Sequence, residues 1–183
     1  MSRVKRLVQS YRKYIAVPWR DDAAAPQRVI FCVYHETEEL RLRAKIDEFE
    51  IATRQAGHEW AAFDLTDTFA AWLTSQRYAA SYFQKPHLLA TLLPKYRAYI
   101  GDQFRAFLAQ NRADANTVVA LAGVGSLFGL QKVKDVVEEL APLVPGRLLV
   151  FFPGSYENNN YRLLDGYDGW NYLAVPLTAD KEW

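Results

Sequence analysis

The chain has 183 residues, 50% of them hydrophobic and 23% charged, which is the size and composition of one globular domain with a single core. Its 22 basic and 21 acidic residues leave a formal net charge of +1, so no whole-molecule field draws in nucleic acid or an anionic membrane; either partner would need a local patch. The lone cysteine, Cys32, excludes an internal disulfide, no apolar run approaches the roughly 18–20 residues of a membrane span, and no signal-peptide core follows Met1, which together predict a soluble protein of the reducing cytoplasm.

Residues 1–20 carry Arg3, Lys5, Arg6, Arg12, Lys13 and Arg20 and no acid, a composition that transit peptides share. Val4, Leu7, Val8, Tyr11 and Ile15 fall on one helical face, however, which predicts a docked N-terminal helix. Its basic side offers one route to DNA, and a solvated or protein-docking face is the plainer reading. After the soft segment "DDAAAP" (21–26) comes "RVIFCVY" (28–34), the first of five apolar runs. The others are "WAAF" (60–63), "TVVALA" (117–122), "RLLVFF" (147–152) and "YLAV" (172–175). All are continuous rather than alternating, the pattern of strands buried on both faces in a parallel sheet.

Between the first two runs, Leu42, Ile46, Phe49, Ala52 and Ala56 recur at helical spacing, predicting one helix over 38–56 that stops at Gly57 and carries the outward pairs Glu39–Arg43 and Glu50–Arg54. Residues 64–116 read as a mostly helical insertion between strands two and three, with an amphipathic helix beginning after Pro94. A further helix over Leu130, Val133, Val137 and Leu140 ends at Pro142. The sum is a single α/β domain over 1–183 with a mainly parallel central sheet of about five strands, right-handed crossovers and helices on its flanks, P-loop-like or Rossmann-like in topology without a P-loop.

Ligands of open α/β sheets settle outside the carboxyl ends of the strands. The exits here are His35–Glu36, Asp64 with Thr66, "GVGSLFG" (123–129) and "PGSYENNN" (153–160). The glycine-rich exit has the context of a phosphate-binding turn, yet Gly123, Gly125 and Gly129 match neither G-x-x-x-x-G-K-[ST] nor G-x-G-x-x-G. A tight turn with Ser126 capping the next helix is one reading; a degenerate nucleotide loop of Gly123, Gly125 and Ser126 with Asp64 is the alternative. His35–Glu36 and His58–Glu59 each lack the second histidine of H-E-x-x-H, Ser126 lacks a nucleophile elbow, and Cys32 sits in an apolar run. Asp64 could share a metal with Glu157 or simply cap a turn. No catalytic set, metal set or cofactor motif emerges.

The densest chemistry lies in "FFPGSYENNNYRLLDGYDGWNY" (151–172). Asn158, Asn159 and Asn160 offer donors and acceptors without a useful pKa, so they can bind or brace but not act as acid or base. Asparagine tolerates left-handed backbone, which makes a self-braced loop the simplest reading. Arg162, Asp165 and Asp168 could lock that loop under Trp170, and with Tyr156, Tyr161 and Tyr167 interleaved the whole has the anchor-and-network chemistry of a protein interface. The sequence therefore marks Tyr156, Asn158, Asn159, Asn160, Arg162, Asp168 and Trp170 as partner-binding or loop-bracing residues.

At these residues the chain closely resembles a known family. "GRLLVFFPGSYENNNYRLLDGYDGWNYLAVPLTA" (146–179) is similar to the C-terminal block of the BrxB family, small proteins of BREX (bacteriophage exclusion) defence systems; residues 17–66 and 116–140 resemble its other two blocks. The resemblance implies a non-enzymatic accessory subunit encoded beside a DNA methyltransferase, a large AAA+ ATPase and a PglZ-type protein of the phosphatase superfamily. The PglZ-type protein is the first expected partner, within a possible larger complex that includes the methyltransferase and ATPase. The family brings no catalytic residues to carry over.

Overall fold

The computed structural model of the chain describes residues 1–166 and 169–180. Five parallel strands form one sheet in the order β2 (Glu59–Asp64), β3 (Thr117–Ala122), β4 (Arg147–Glu157), β1 (Val29–Tyr34) and β6 (Val175–Thr178). The α/β class and mainly parallel sheet expected from the continuous apolar runs are what the chain adopts. In register, β1 meets β4 from Val29 opposite Leu148 to Tyr34 opposite Pro153, and every residue of β1 and β3 is buried. A Rossmann order would set strand one beside strand two. Here β1 lies between β4 and the last strand, which leaves the P-loop-like alternative.

Successive side chains of a strand point to opposite faces, and the sheet carries two cores accordingly. Ile30, Cys32, Val118, Ala120, Leu149 and Phe151 face α1 (Arg3–Ile15), α2 (Glu39–Arg43) and α3 (Ile46–Gln55). Phe31, Val119, Leu121, Leu148, Val150 and Phe152 face α4 (Thr68–Thr74), α6 (Leu93–Gln110) and α7 (Val133–Leu140). Right-handed crossovers require this division: the chain travels one way from β1 to the far edge at β2 and the other way through β3 and β4, so its helices change sides. In α1 the Ser2 hydroxyl caps Lys5 N–H at 3.3 Å, and Val4, Leu7, Val8, Tyr11 and Ile15 are buried against the sheet and α3. Tyr11 and Thr53 of α3 share a buried hydrogen bond of 2.6 Å.

Several boundaries differ from the sequence expectation. The helix expected over 38–56 is interrupted: a 3-10 turn at Glu36–Glu38 leads into α2, and the chain kinks at Ala44–Lys45, where Lys45 N–H bonds Leu42 O at 2.8 Å, before α3 begins. The fifth strand is not 172–175 but Val175–Thr178, with only Val175 in common; it is an edge strand, where Pro176 is tolerated. The connection from β2 to β3 is helical, with α4, α5 (Ala79–Gln84), a 3-10 turn at Pro86–Thr91 and α6.

The crossover from β4 to β6 contains no α-helix among its described residues. β4 runs past the sheet and folds back as β5 (Asn160–Leu163), antiparallel to it. The space over β1 that a crossover helix would cover is filled by rings: around Phe31, the centroids of Tyr161, Phe152, Trp170 and Tyr172 lie at 4.5, 5.5, 5.8 and 6.0 Å. At the opposite end of the sheet, Trp19 is sandwiched between the His58 ring, stacked at 3.7 Å, and the Arg147 guanidinium, 4.6 Å from its centroid, which straps the segment before β1 across the starts of β2 and β4.

Candidate functional site

Because the strands are parallel, Tyr34, Asp64, Gly123 and Pro153 all leave the sheet at one rim. Above this rim α2 lays an ionic chain. The Arg43 guanidinium donates to Glu39 Oε1 (2.7 Å), to Asp64 Oδ2 (3.1 Å) and to Thr66 Oγ1 (2.8 Å), while the Tyr34 hydroxyl donates to the other oxygen of Glu39. Asp64 Oδ1 accepts from Thr66 N–H at 2.9 Å and from the Thr66 hydroxyl at 2.5 Å. Burial alone would raise the Asp64 carboxyl, but these hydrogen bonds from Thr66 and Arg43 outweigh it and hold the group below the usual carboxylate range. Asp64 is thus an anion already engaged by three neighbouring groups.

The glycine-rich loop fits against the same carboxylate. Gly123 has φ +72°, and a Cβ placed on it would meet Asp64 Oδ1 at 2.4 Å and Thr66 Oγ1 at 2.5 Å. The glycine is required for backbone sign and for close approach to the protein's own side chains. Gly125 packs near Pro153, 3.4 Å from a Cβ built there. Ser126 does not cap a helix as the spacing suggested; residues Val124–Leu127 form a 3-10 turn, the Ser126 hydroxyl bonds Gly123 O (2.6 Å) and Leu65 O (3.3 Å), and α7 starts only at Val133 behind Lys132. The first exit, at the switch point between β1 and β4, carries Glu36, Glu38 and Glu39, anions where a phosphate would need donors.

The histidines are dispersed. His35 Nδ1 lies 2.8 Å from Thr37 Oγ1, His58 Nδ1 lies 2.7 Å from Asn116 Oδ1 beside the starts of β2 and β3, and His87 belongs to the insertion. Cys32 is fully buried, which pushes its thiol up and disfavours thiolate. Among the described residues no group of three or more His, Cys, Asp or Glu is arranged to hold a metal ion, and no helix is long and apolar enough to cross a membrane.

The asparagine run resolves into a hairpin turn. Glu157 pairs with Asn160, and the two loop residues Asn158 (φ +50°) and Asn159 (φ +64°) are both left-handed, the requirement of a type I′ turn, which matches the twist of its strands. The Tyr156 hydroxyl donates to Asn159 Oδ1 at 3.1 Å, and its ring lies 4.6 Å from Tyr161. Asn158, Asn159, Asn160 and Arg162 are exposed. Trp170 is half-buried and tied to Tyr161 by reciprocal backbone bonds of 2.8 and 3.0 Å. Asp168, expected to pair with Arg162, lies outside the described residues, as does Tyr167. The expected set therefore divides: Tyr156, Asn158, Asn159 and Trp170 shape the hairpin, whereas Asn160 and Arg162 present side chains to solvent.

The sequence reading missed what lies beside this hairpin. An open groove of about 1060 Å³ runs between the end of the glycine-rich loop with the first turn of α7 and, on the returning chain, Leu163, Asp165, Gly166, Gly169 and Trp170. Phe128, 49% exposed, Leu130 and Trp170 are among its apolar lining, and Lys132, Lys134 and Asp165 line it with charge. The signal in the sequence was Phe128, a large apolar residue inside a glycine turn with no periodic partner. Set against protein-family models, curated proteins and solved structures, the chain matches none.

Proposed function

We propose that the chain is a non-enzymatic binding subunit of a BREX-type phage-defence system and that its groove, which has the end of β5 on one side, receives another protein of that system, the PglZ-type protein first. The carrying observation is the groove itself: an open, part-apolar channel bounded by the segment in which the resemblance to the BrxB family is most specific. Exposed Phe128 and half-buried Trp170 are the kind of aromatic anchors that dominate binding energy, and exposed Arg162, next in sequence to groove-lining Leu163, supplies planar, charge-assisted hydrogen bonding. The rim carboxylate and hydroxyls that would serve catalysis or phosphate binding are instead engaged by Arg43, by Thr66 and by backbone carbonyls, which supports binding over chemistry. A methyltransferase and an AAA+ ATPase would join through the same assembly.

The test is co-purification of the tagged chain with the PglZ-type protein. Phe128→Ala and Arg162→Ala change exposed side chains, so both should lose the complex while melting within about 2 °C of the parent. Retained binding in both variants, or turnover of a substrate by the purified chain, refutes the reading. A melting shift with Mg·ATP abolished by altering Asp64 would instead favour the nucleotide alternative.

A further inference from the structure

The helical insertion carries an unbalanced surface. Between Asp67 and Asp102 there is no acidic residue, while Arg77, Lys85, Lys95 and Arg97 are basic. Only Arg97 is neutralised, by Asp135 at 3.5 Å and Glu139 at 3.6 Å; Arg77, Lys85 and Lys95 make no ion pair among the described residues. Set among them are three exposed apolar side chains, Tyr78 (58%), Phe83 (62%) and Leu88 (40%). Arg77 sits over the Tyr78 ring, 5.4 Å from its centroid. In a protein of net charge +1, the segment concentrates cations and solvent-facing rings on one helix–turn–helix stretch, α5 through the start of α6.

Three kinds of partner suit a cationic aromatic surface, and the pattern separates them. A second copy would bring identical cations together and is repelled. An anionic membrane takes a continuous apolar face, but Tyr82, next to Phe83, turns into the core and divides the exposed rings. Two exposed rings, Tyr78 and Phe83, flanked along the chain by the unpaired cations Arg77 and Lys85 with Lys95 beyond, match a strand that offers both phosphates and unstacked bases. We infer that the 77–95 surface binds single-stranded nucleic acid, with Tyr78 and Phe83 stacking on bases and Arg77, Lys85 and Lys95 contacting phosphates. Binding here needs no protein partner, so its success or failure is independent of what occupies the groove.

Fluorescence anisotropy with a labelled 20-nucleotide oligothymidylate tests this on the purified chain. Three phosphate contacts predict a slope of log affinity on log salt near about −2, a loss of about twentyfold from 50 to 200 mM. Lys85→Ala with Lys95→Ala should flatten the slope to about −0.7. Tyr78→Ala with Phe83→Ala should lower affinity at least about fivefold at unchanged slope, because stacking releases no counterions. All four side chains are exposed, so melting temperatures should stay at the parent value. The proposal is overturned by absence of binding, by equal affinity for a duplex of the same length, by indifference to loss of the two rings, or by loss of binding on neutralising Lys5, Arg12 and Lys13 of α1 instead. Capture by vesicles one-third phosphatidylserine, with no oligonucleotide binding, overturns it in favour of a membrane surface.

Discussion

Gly123→Ala should be among the most damaging single-methyl additions in the molecule, and its cost separates into two parts. A left-handed φ of +72° costs any L-residue roughly 1–2 kcal/mol. The new methyl would also lie 2.4 Å from Asp64 Oδ1 and 2.5 Å from Thr66 Oγ1, inside the pair of hydrogen bonds that Thr66 makes to that carboxylate. Opening both bonds adds about 1 kcal/mol each, less some relief because the carboxylate is partly solvated. The total, about 2–4 kcal/mol, lowers the melting temperature by about 5–15 °C for a chain of this length. Gly129→Ala is the control: its φ is +76°, but nothing lies within 4 Å of a Cβ there, so it should carry the backbone strain alone, about 3–6 °C. Differential scanning calorimetry of the two variants decides. Equal losses would mean that the contact with Asp64 contributes nothing and that the loop is free to move away from it.

Tyr161→Phe should stabilise the protein by about 1–2 kcal/mol, since the buried hydroxyl has no hydrogen-bond partner among the described residues and the ring packing is retained; a lower melting temperature would reveal a partner. Asp64→Asn should remove part of the acid sensitivity. The Asp64 pKa is depressed in the folded state, so its contribution is complete above the unfolded value of about 4 and is lost as pH falls through the lower folded value, and the variant's stability should fall less steeply than the parent's below about pH 4 in urea titrations. In the turn, Asn159→Gly should hold stability within about 0.5 kcal/mol, whereas Asn159→Val should cost about 1–2 kcal/mol, because a β-branched residue resists positive φ; equal effects would argue against the type I′ geometry. Gly154→Ala places a methyl 1.9 Å from Arg162 O and should pry the hairpin open, read as faster amide exchange at Leu164, whose N–H bonds Pro153 O, with β1 and β3 still protected.

The central strands were legible because "VIFCVY", "TVVALA" and "RLLVFF" are buried on both faces and carry no competing pattern. The kink at Ala44–Lys45 was not, because neither glycine nor proline marks it; there the chain turns so that Leu42 is buried while Arg43 meets Asp64, a tertiary demand that local periodicity does not encode. "YLAV" misled for a related reason: Tyr172 is apolar for the ring layer on Phe31, not for a strand. The tolerance of asparagine for left-handed backbone pointed correctly to a turn at 158–160, but an Asn–Asn pair is a weaker hairpin signal than Asn–Gly, so β5 went unseen. The groove depends on distant segments meeting, and only Phe128 hinted at it.

The position of β1 has a consequence for synthesis. It precedes the other described strands, it is apolar along its whole length, and among the described residues its neighbours in the sheet are β4 and β6, both of which follow the insertion. During translation it emerges with nothing to pair with and must wait through the insertion and three helices, either shielded by α1 and a chaperone or exposed as a sticky edge. A nascent-chain crosslink from Phe31 or Cys32 should therefore capture trigger-type chaperones until β4 has cleared the ribosome, and truncations ending before that strand should be insoluble.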